Sequence, residues 1–144
     1  RPHRFLSLKE TFPGGGAIKR WHWTMLNDCA RNDAYRAAIE AAVAQVPDGA
    51  LLLELGSGSG LLSMMAARAA KAAGKHRVRI VACEFNRRIV AASEAIVKAN
   101  GHDDMIKVVS TISYELELAK DLGGQRADLL YIELFGQTLL DEGI

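Results

Sequence analysis

Residues 50–55 form a short, almost continuously apolar run that ends in Glu54-Leu55-Gly56-Ser57-Gly58-Ser59-Gly60. A run of this length, closed by glycines, predicts a strand buried on both faces of a parallel sheet. The alanine-rich stretch 61–73 has strong helix propensity and stops at Gly74. Strand, glycine turn and helix in direct succession narrow the fold more than any other feature. The next parallel strand needs a crossover, such crossovers are right-handed, and ligands then collect at the carboxyl ends of the strands.

The alternation continues along the chain. Residues 78–83 predict a second strand, 87–99 a second helix closed by Asn100-Gly101, 105–110 a third strand and 127–132 a fourth, with a helix starting near Thr138. Ahead of the first strand, Tyr35, Ile39, Val43 and Val46 lay an apolar stripe along a helix from about Asn32 to Gln45, which Pro47-Asp48-Gly49 stops. The fold class is therefore α/β, a doubly wound parallel sheet preceded by helices. Pro13-Gly14-Gly15-Gly16 is a breaker, so residues 1–20 are expected to be a flexible basic arm, with five Lys or Arg against Glu10, and the domain to occupy residues 21–144.

Composition bounds the chemistry. The 144 residues are 49% hydrophobic and 24% charged, the balance of a globular domain that buries roughly 70% of its unfolded surface without staples. Cys29 and Cys83 are far apart, no C-x-x-C occurs, and His3, His22, His76 and His102 never reach ligand spacing, so neither a disulfide framework nor a metal site is signalled. A reducing compartment fits best. A formal net charge of +1 gives no general attraction to nucleic acid or anionic membrane, and the longest apolar stretch falls well short of a bilayer span.

The glycine loop lacks the side chains that would hold a ligand off the backbone. Counted from Gly56, the G-x-G-x-x-G dinucleotide fingerprint fails at Leu61, leaving G-x-G-x-G. Glu84 ends the second strand, where an acid can accept from both hydroxyls of a ribose. Glu133 and Glu142, nine positions apart, follow the fourth strand. A guanidinium is planar, always protonated and donor-only, so a site built to hold one wants two carboxylates fixed in place. The same two glutamates could equally be solvated loop residues.

At this point four segments, in order, resemble the protein arginine methyltransferase family. Met25-Leu26-Asn27-Asp28-Cys29-Ala30-Arg31-Asn32 looks like the family's M-L-x-D-x-x-R helix, Glu54 through Gly60 like its motif I, Glu84 like its post-I acid, and Glu133 through Glu142 like its double-E loop. The Glu133-Leu-Phe run, the later Asp-Glu-Gly and Gly60-Leu-Leu-Ser-Met-Met-Ala are most similar to the type III, monomethylating branch. The resemblance implies a Rossmann-like S-adenosylmethionine-dependent methyltransferase fold, of which this chain holds the N-terminal half of the doubly wound sheet.

It also implies roles. S-adenosyl-L-methionine is the expected cofactor and S-adenosyl-L-homocysteine its product. Arg31 would grip the methionine carboxylate, Glu54, Gly56, Gly58 and Gly60 would form the cofactor loop, Glu84 would hold the ribose, Ser113 in the turn Ser113-Tyr114-Glu115 would meet the adenine, and Met25 would pack beside the sulfonium. Glu133 and Glu142 would be the catalytic pair; no metal is implied. Met25 could equally be core, Asp28 a helix-structuring residue, and His22 a structural histidine. Phe12, Trp21 and Trp23 are candidates for the aromatic cover of the cofactor, and Gly136 stands where type III relatives commonly have an acid.

The expected partners are arginine-rich proteins, histones or RNA-binding proteins by resemblance, with no direct nucleic acid or membrane contact and a dimer or pseudo-dimer at full length. The cytoplasm, and the nucleus as well, would be the setting. Members continue past the double-E loop, so the domain is expected to be incomplete on its C-terminal side and the chain to be a fragment. The competing expectations are a methyltransferase acting on RNA or a small molecule, and a non-catalytic cofactor-binding regulatory partner.

Overall fold

The computed structural model describes residues 20–134, with side chains from position 23 onward. The basic arm, its Pro-Gly joint, Phe12, Gly136, the helix expected near Thr138 and Glu142 lie outside the described residues, as do the side chains of Trp21 and His22. In chain order the elements are α1 (Arg20–Asn27), α2 (Cys29–Gln45), β1 (Leu51–Leu55), α3 (Leu61–Ala72), β2 (Arg79–Glu84), α4 (Arg87–Ala99), β3 (Ile106–Ser110), a 3-10 turn (Ser113–Glu115), α5 (Leu118–Asp121) and β4 (Leu129–Ile132).

The four strands are all parallel, in the order β3-β2-β1-β4. The chain winds outward from β1 through β2 to β3 and then returns to the other side of β1. That reversal places a crevice at the carboxyl ends of β1 and β4, where open α/β sheets bind ligands. The Rossmann-like methyltransferase fold expected from the sequence is the fold observed.

Strand β1 is central, and its apolar run divides between two cores. Leu52 joins Ile39 and Val43 of α2, Leu62, Ala66, Ala67 and Ala70 of α3, and Ile80 and Ala82 of β2 on one face. Leu51 and Leu53 meet Val81, Cys83, Val109 and Leu122 on the other. Burial on both faces explains why the sequence runs apolar without alternation. The predicted stripe of α2 is also the buried one, with Tyr35 and Val46 packed against the edge of the cluster.

The structure moves two boundaries. The Met25–Asn32 segment is two helices rather than one, because Asp28 is the N-cap of α2 and its side chain accepts from Arg31 N at 3.0 Å. Asp28 is thus a structuring residue. The four-residue α5 was not foreseen, since one turn carries no readable periodicity.

The far end of α2 is held by a residue from beyond α3. Lys75 Nζ donates to the carbonyls of Val43, Ala44 and Val46 at 2.7, 2.8 and 2.6 Å. These are end-of-helix acceptors without intrahelical partners, and a cation there also matches the helix dipole.

Candidate active site

The glycine loop bridges β1 and α3 along the sheet's carboxyl edge. Gly56, Gly58 and Gly60 have φ of 73°, 52° and 80°, which disfavours side chains at all three positions. The loop is folded back on β2: Gly56 N and Ser57 N both donate to Cys83 O at 2.9 Å. Glu84, at the end of β2, braces it further by accepting from Gly58 N at 3.0 Å and from Asn86 N at 2.8 Å. Each carboxylate oxygen keeps a second lone pair.

A Cβ on Gly56 would overlap the Leu134 side chain, so the loop and the segment after β4 are in direct contact. Gly58, by contrast, has open space where a side chain would stand. Replacing Gly56 by Ala should therefore lower the urea midpoint by the equivalent of about 1–2 kcal/mol from the left-handed backbone alone, and should displace Leu134. Gly58→Ala meets only the backbone cost. Equal midpoints for the two variants would argue against the Gly56–Leu134 contact.

Glu133 follows β4 directly, and its carboxylate is paired with the guanidinium of Arg31 at 2.9 Å. Arg31 also donates to Asn32 Oδ1 at 2.9 Å, and its guanidinium carbon lies 4.9 Å from the Tyr35 ring centroid. Both members of the pair are only about one-fifth exposed, 21% and 18%. Burial, with Glu133 beside it, raises the Tyr35 phenol above its ordinary range. The structure thus unites two residues that the sequence assigned to different ligands.

Glu54 is 2% exposed and lies inside the molecule, behind the loop. Its carboxyl accepts from Ser63 Oγ, and Ser63 Oγ lies 3.3 Å from Tyr131 OH. Burial pushes Glu54 up to about 8; the Ser63 hydrogen bond pulls the other way, and Glu84 and Glu133 add to the rise. Folded protein therefore keeps a proton that the unfolded chain has released between about 4.5 and about 8. Stability from this group is fully present below the lower value and declines as pH rises toward the upper one. Glu54→Gln should flatten that decline by a few kcal/mol, measured as urea midpoints across about pH 5 to 8. An unchanged slope would show that Glu54 is already ionised in the folded state.

The remaining sequence candidates lie on α1 and just past β3. Met25 is half-buried on α1, and its carbonyl accepts from Asp28 N at 3.2 Å. Ser113 opens the exposed 3-10 turn just past β3, whose chain is tied to β2 by Thr111 N donating to Glu84 O at 3.1 Å. Trp23, a candidate cover, is 39% exposed. Phe85 and Tyr114, which the sequence reading did not single out as ligand contacts, are strongly exposed and follow Glu84 and Ser113. Among the described residues no group of three or more His, Cys, Asp or Glu could hold a metal, and no helix is long and apolar enough to cross a membrane.

Comparison with known proteins covers most of the chain. An arginine N(omega)-methyltransferase of Streptomyces achromogenes subsp. streptozoticus is 40% identical over 127 residues, 88% of this chain and 32% of its own length. Protein arginine N-methyltransferase 7 of Oryza sativa subsp. indica is 43% identical over 122 residues, 83% of this chain and 16% of its length. The chain is a homologue of protein arginine N-methyltransferases. Among solved structures, the Trypanosoma brucei PRMT1 enzyme-prozyme heterotetrameric complex with AdoHcy superposes with a TM-score of 0.70 at 29% identity, covering 85% of this chain and 35% of that one.

A model of the protein-L-isoaspartate(D-aspartate) O-methyltransferase family also matches, over residues 32–114, so a domain of that description is present there. That match ends before β4 and Glu133. It covers the glycine loop, Glu84 and the first two residues of the 3-10 turn, whereas the arginine relatives align over most of the chain. This arginine methyltransferase homologue spans about a third or less of the length of those two curated relatives.

Proposed function

We propose that the chain carries the cofactor half and the first substrate acid of an S-adenosylmethionine-dependent protein arginine N-methyltransferase. One observation carries the reading: at the mouth of the glycine loop, Glu133 already holds a guanidinium, that of Arg31. A carboxylate with that reach, at the switch point of a methyltransferase sheet, is what an arginine acceptor requires.

The residues fit the cofactor. Open space at Gly58 lets a nucleoside lie against the backbone there, while Gly56 and Gly60 leave room for Leu134 and for Ser93 and Val97. Glu84 has lone pairs to spare for ribose hydroxyls, Arg31 a guanidinium for the methionine carboxylate, and Ser113 a place near the adenine; Met25 would stand by the sulfonium. Glu54 works from behind, as a neutral prop under the loop. When bound, the cofactor supplies an electrophilic methyl on a sulfonium.

What the chain must do is align one substrate nitrogen and offset repulsion between two cations. Alignment of this kind supplies roughly 7 to 11 kcal/mol. At ~4 Å and an effective dielectric near 20, one charge pair is worth about 4 kcal/mol, so Glu133, with Glu142 as its expected partner, decides whether the guanidinium can approach. Binding the charge on two of its nitrogens leaves the third more nucleophilic. Monomethylation, protein substrates rich in arginine such as histones or RNA-binding proteins, a cytoplasmic or nuclear setting, and a dimer or pseudo-dimer at full length belong to the same proposal. Support for an assembly comes from the trypanosome relative, a heterotetramer.

A second reading, free arginine as the acceptor, is favoured by the name of the Streptomyces relative, an arginine N(omega)-methyltransferase. The two are separated by incubating the intact protein with methyl-labelled cofactor and either an arginine-rich peptide or free arginine, then resolving the methylated arginines after hydrolysis. Label in monomethylarginine from the peptide is the expected result. Label only from free arginine selects the second reading, and none from either removes both.

A further inference from the structure

Tyr131, Ser63 and Glu54 form a polar chain inside an otherwise apolar layer, and the site's roles leave Tyr131 without a part. Ser63 Oγ is hydrogen-bonded to the Glu54 carboxyl. Ser63 Oγ and Tyr131 OH lie 3.3 Å apart and either can donate, so the three groups make one hydrogen-bonded chain from Tyr131 through Ser63 to Glu54. Burial, with Glu54 nearby, holds the phenol well above its ordinary range, so it stays a donor at any working pH.

The chain joins parts that move the site. Ser63 lies in the first turn of α3, three residues after Gly60, and α3 closes the glycine loop. Tyr131 faces Glu54 across the β1–β4 ladder. Tyr131 packs against the cluster built by α2 and α3, and Glu133, just past the strand, reaches Arg31 of α2. Among the described residues β4 is hydrogen-bonded only to β1. Its start is fixed by Asp128, whose carboxylate accepts from Leu51 N at 2.8 Å. Among the described residues, its end beyond the Leu55–Ile132 pair is tied by side chains: Tyr131 to Ser63, Leu134 against Gly56, and Glu133 to Arg31.

We propose that Tyr131 is a positioning residue for Glu133: through Ser63 its hydroxyl fixes the end of β4 to the helix that closes the cofactor loop, and so sets the substrate acid against the cofactor site. The inference rests on the proposed role of Glu133. It specifies a contribution from one oxygen atom, since a phenylalanine would fill the same space without it.

The test uses the intact protein with Tyr131→Phe, Ser63→Ala and the double variant. Amide hydrogen exchange at positions 132–134 should speed up by roughly tenfold in each, with β1 and β2 unchanged. With S-adenosylmethionine and an arginine-rich peptide, kcat should fall by about tenfold and the peptide KM rise, while cofactor Kd stays within about twofold. The double variant should be no worse than the poorer single one, because both break the same chain. Unchanged exchange at 132–134, unchanged kcat, or a cofactor Kd that weakens as much as kcat falls would each overturn the proposal. Faster exchange in the variants, where the wild-type protein transfers no methyl group, would instead overturn the methyltransferase reading and keep the fastening.

Discussion

Glu133→Gln in the intact enzyme should lower turnover by about 100- to 1,000-fold, the equivalent of roughly 3–4 kcal/mol of lost charge stabilisation. The substitution keeps size and shape but replaces an acceptor-only group with one that also donates. A guanidinium presents only donors, so the amide nitrogen of Gln would face them without a bond. Cofactor affinity should hold or tighten, because the variant releases Arg31 from its present partner at 2.9 Å. Methyl transfer to an arginine-rich peptide and a calorimetric cofactor titration read the two quantities separately. Parallel loss of both would count against a substrate-side role.

Arg31→Ala should do the reverse. Removing one member of a hydrogen-bonded charge pair typically costs 2–5 kcal/mol, so cofactor affinity should weaken by about 30-fold or more. At saturating cofactor much of the turnover should return. Arg31→Lys should fall between, since an ammonium keeps the charge but not the planar fork that also engages Asn32 and lies over Tyr35. Fold stability should fall too, by roughly 1–3 kcal/mol, because the pair is only about one-fifth exposed and Glu133 loses its counter-charge. An unchanged calorimetric affinity in Arg31→Ala would reject the assigned role.

These two residues also mark how far a sequence could be read. The strand-loop-helix core was legible because Leu51 to Leu55 are buried on both faces and say so in composition, and because α4 begins and ends at readable caps, Asn86 and Asn100. The cap at Asp28 was equally visible as a residue type, yet the family-like run across it read as one helix. Long-range pairings were not legible. Nothing in local spacing relates Arg31 to Glu133, or Tyr131 to Ser63, since both meetings exist only once β4 has come back beside β1. Glu54 is the instructive case: loop membership suggested a ligand contact, while its 2% exposure makes it an internal support.

The three carbonyls around Lys75 have a chemical corollary. An ammonium has three hydrogens, and here each already has an acceptor. Acylating reagents attack only the free amine, so this nitrogen should label far more slowly than Lys107, which stands in the open on β3. Its rate of modification by an amine-reactive ester then becomes a gauge of whether α2, and Arg31 with it, is seated on the sheet.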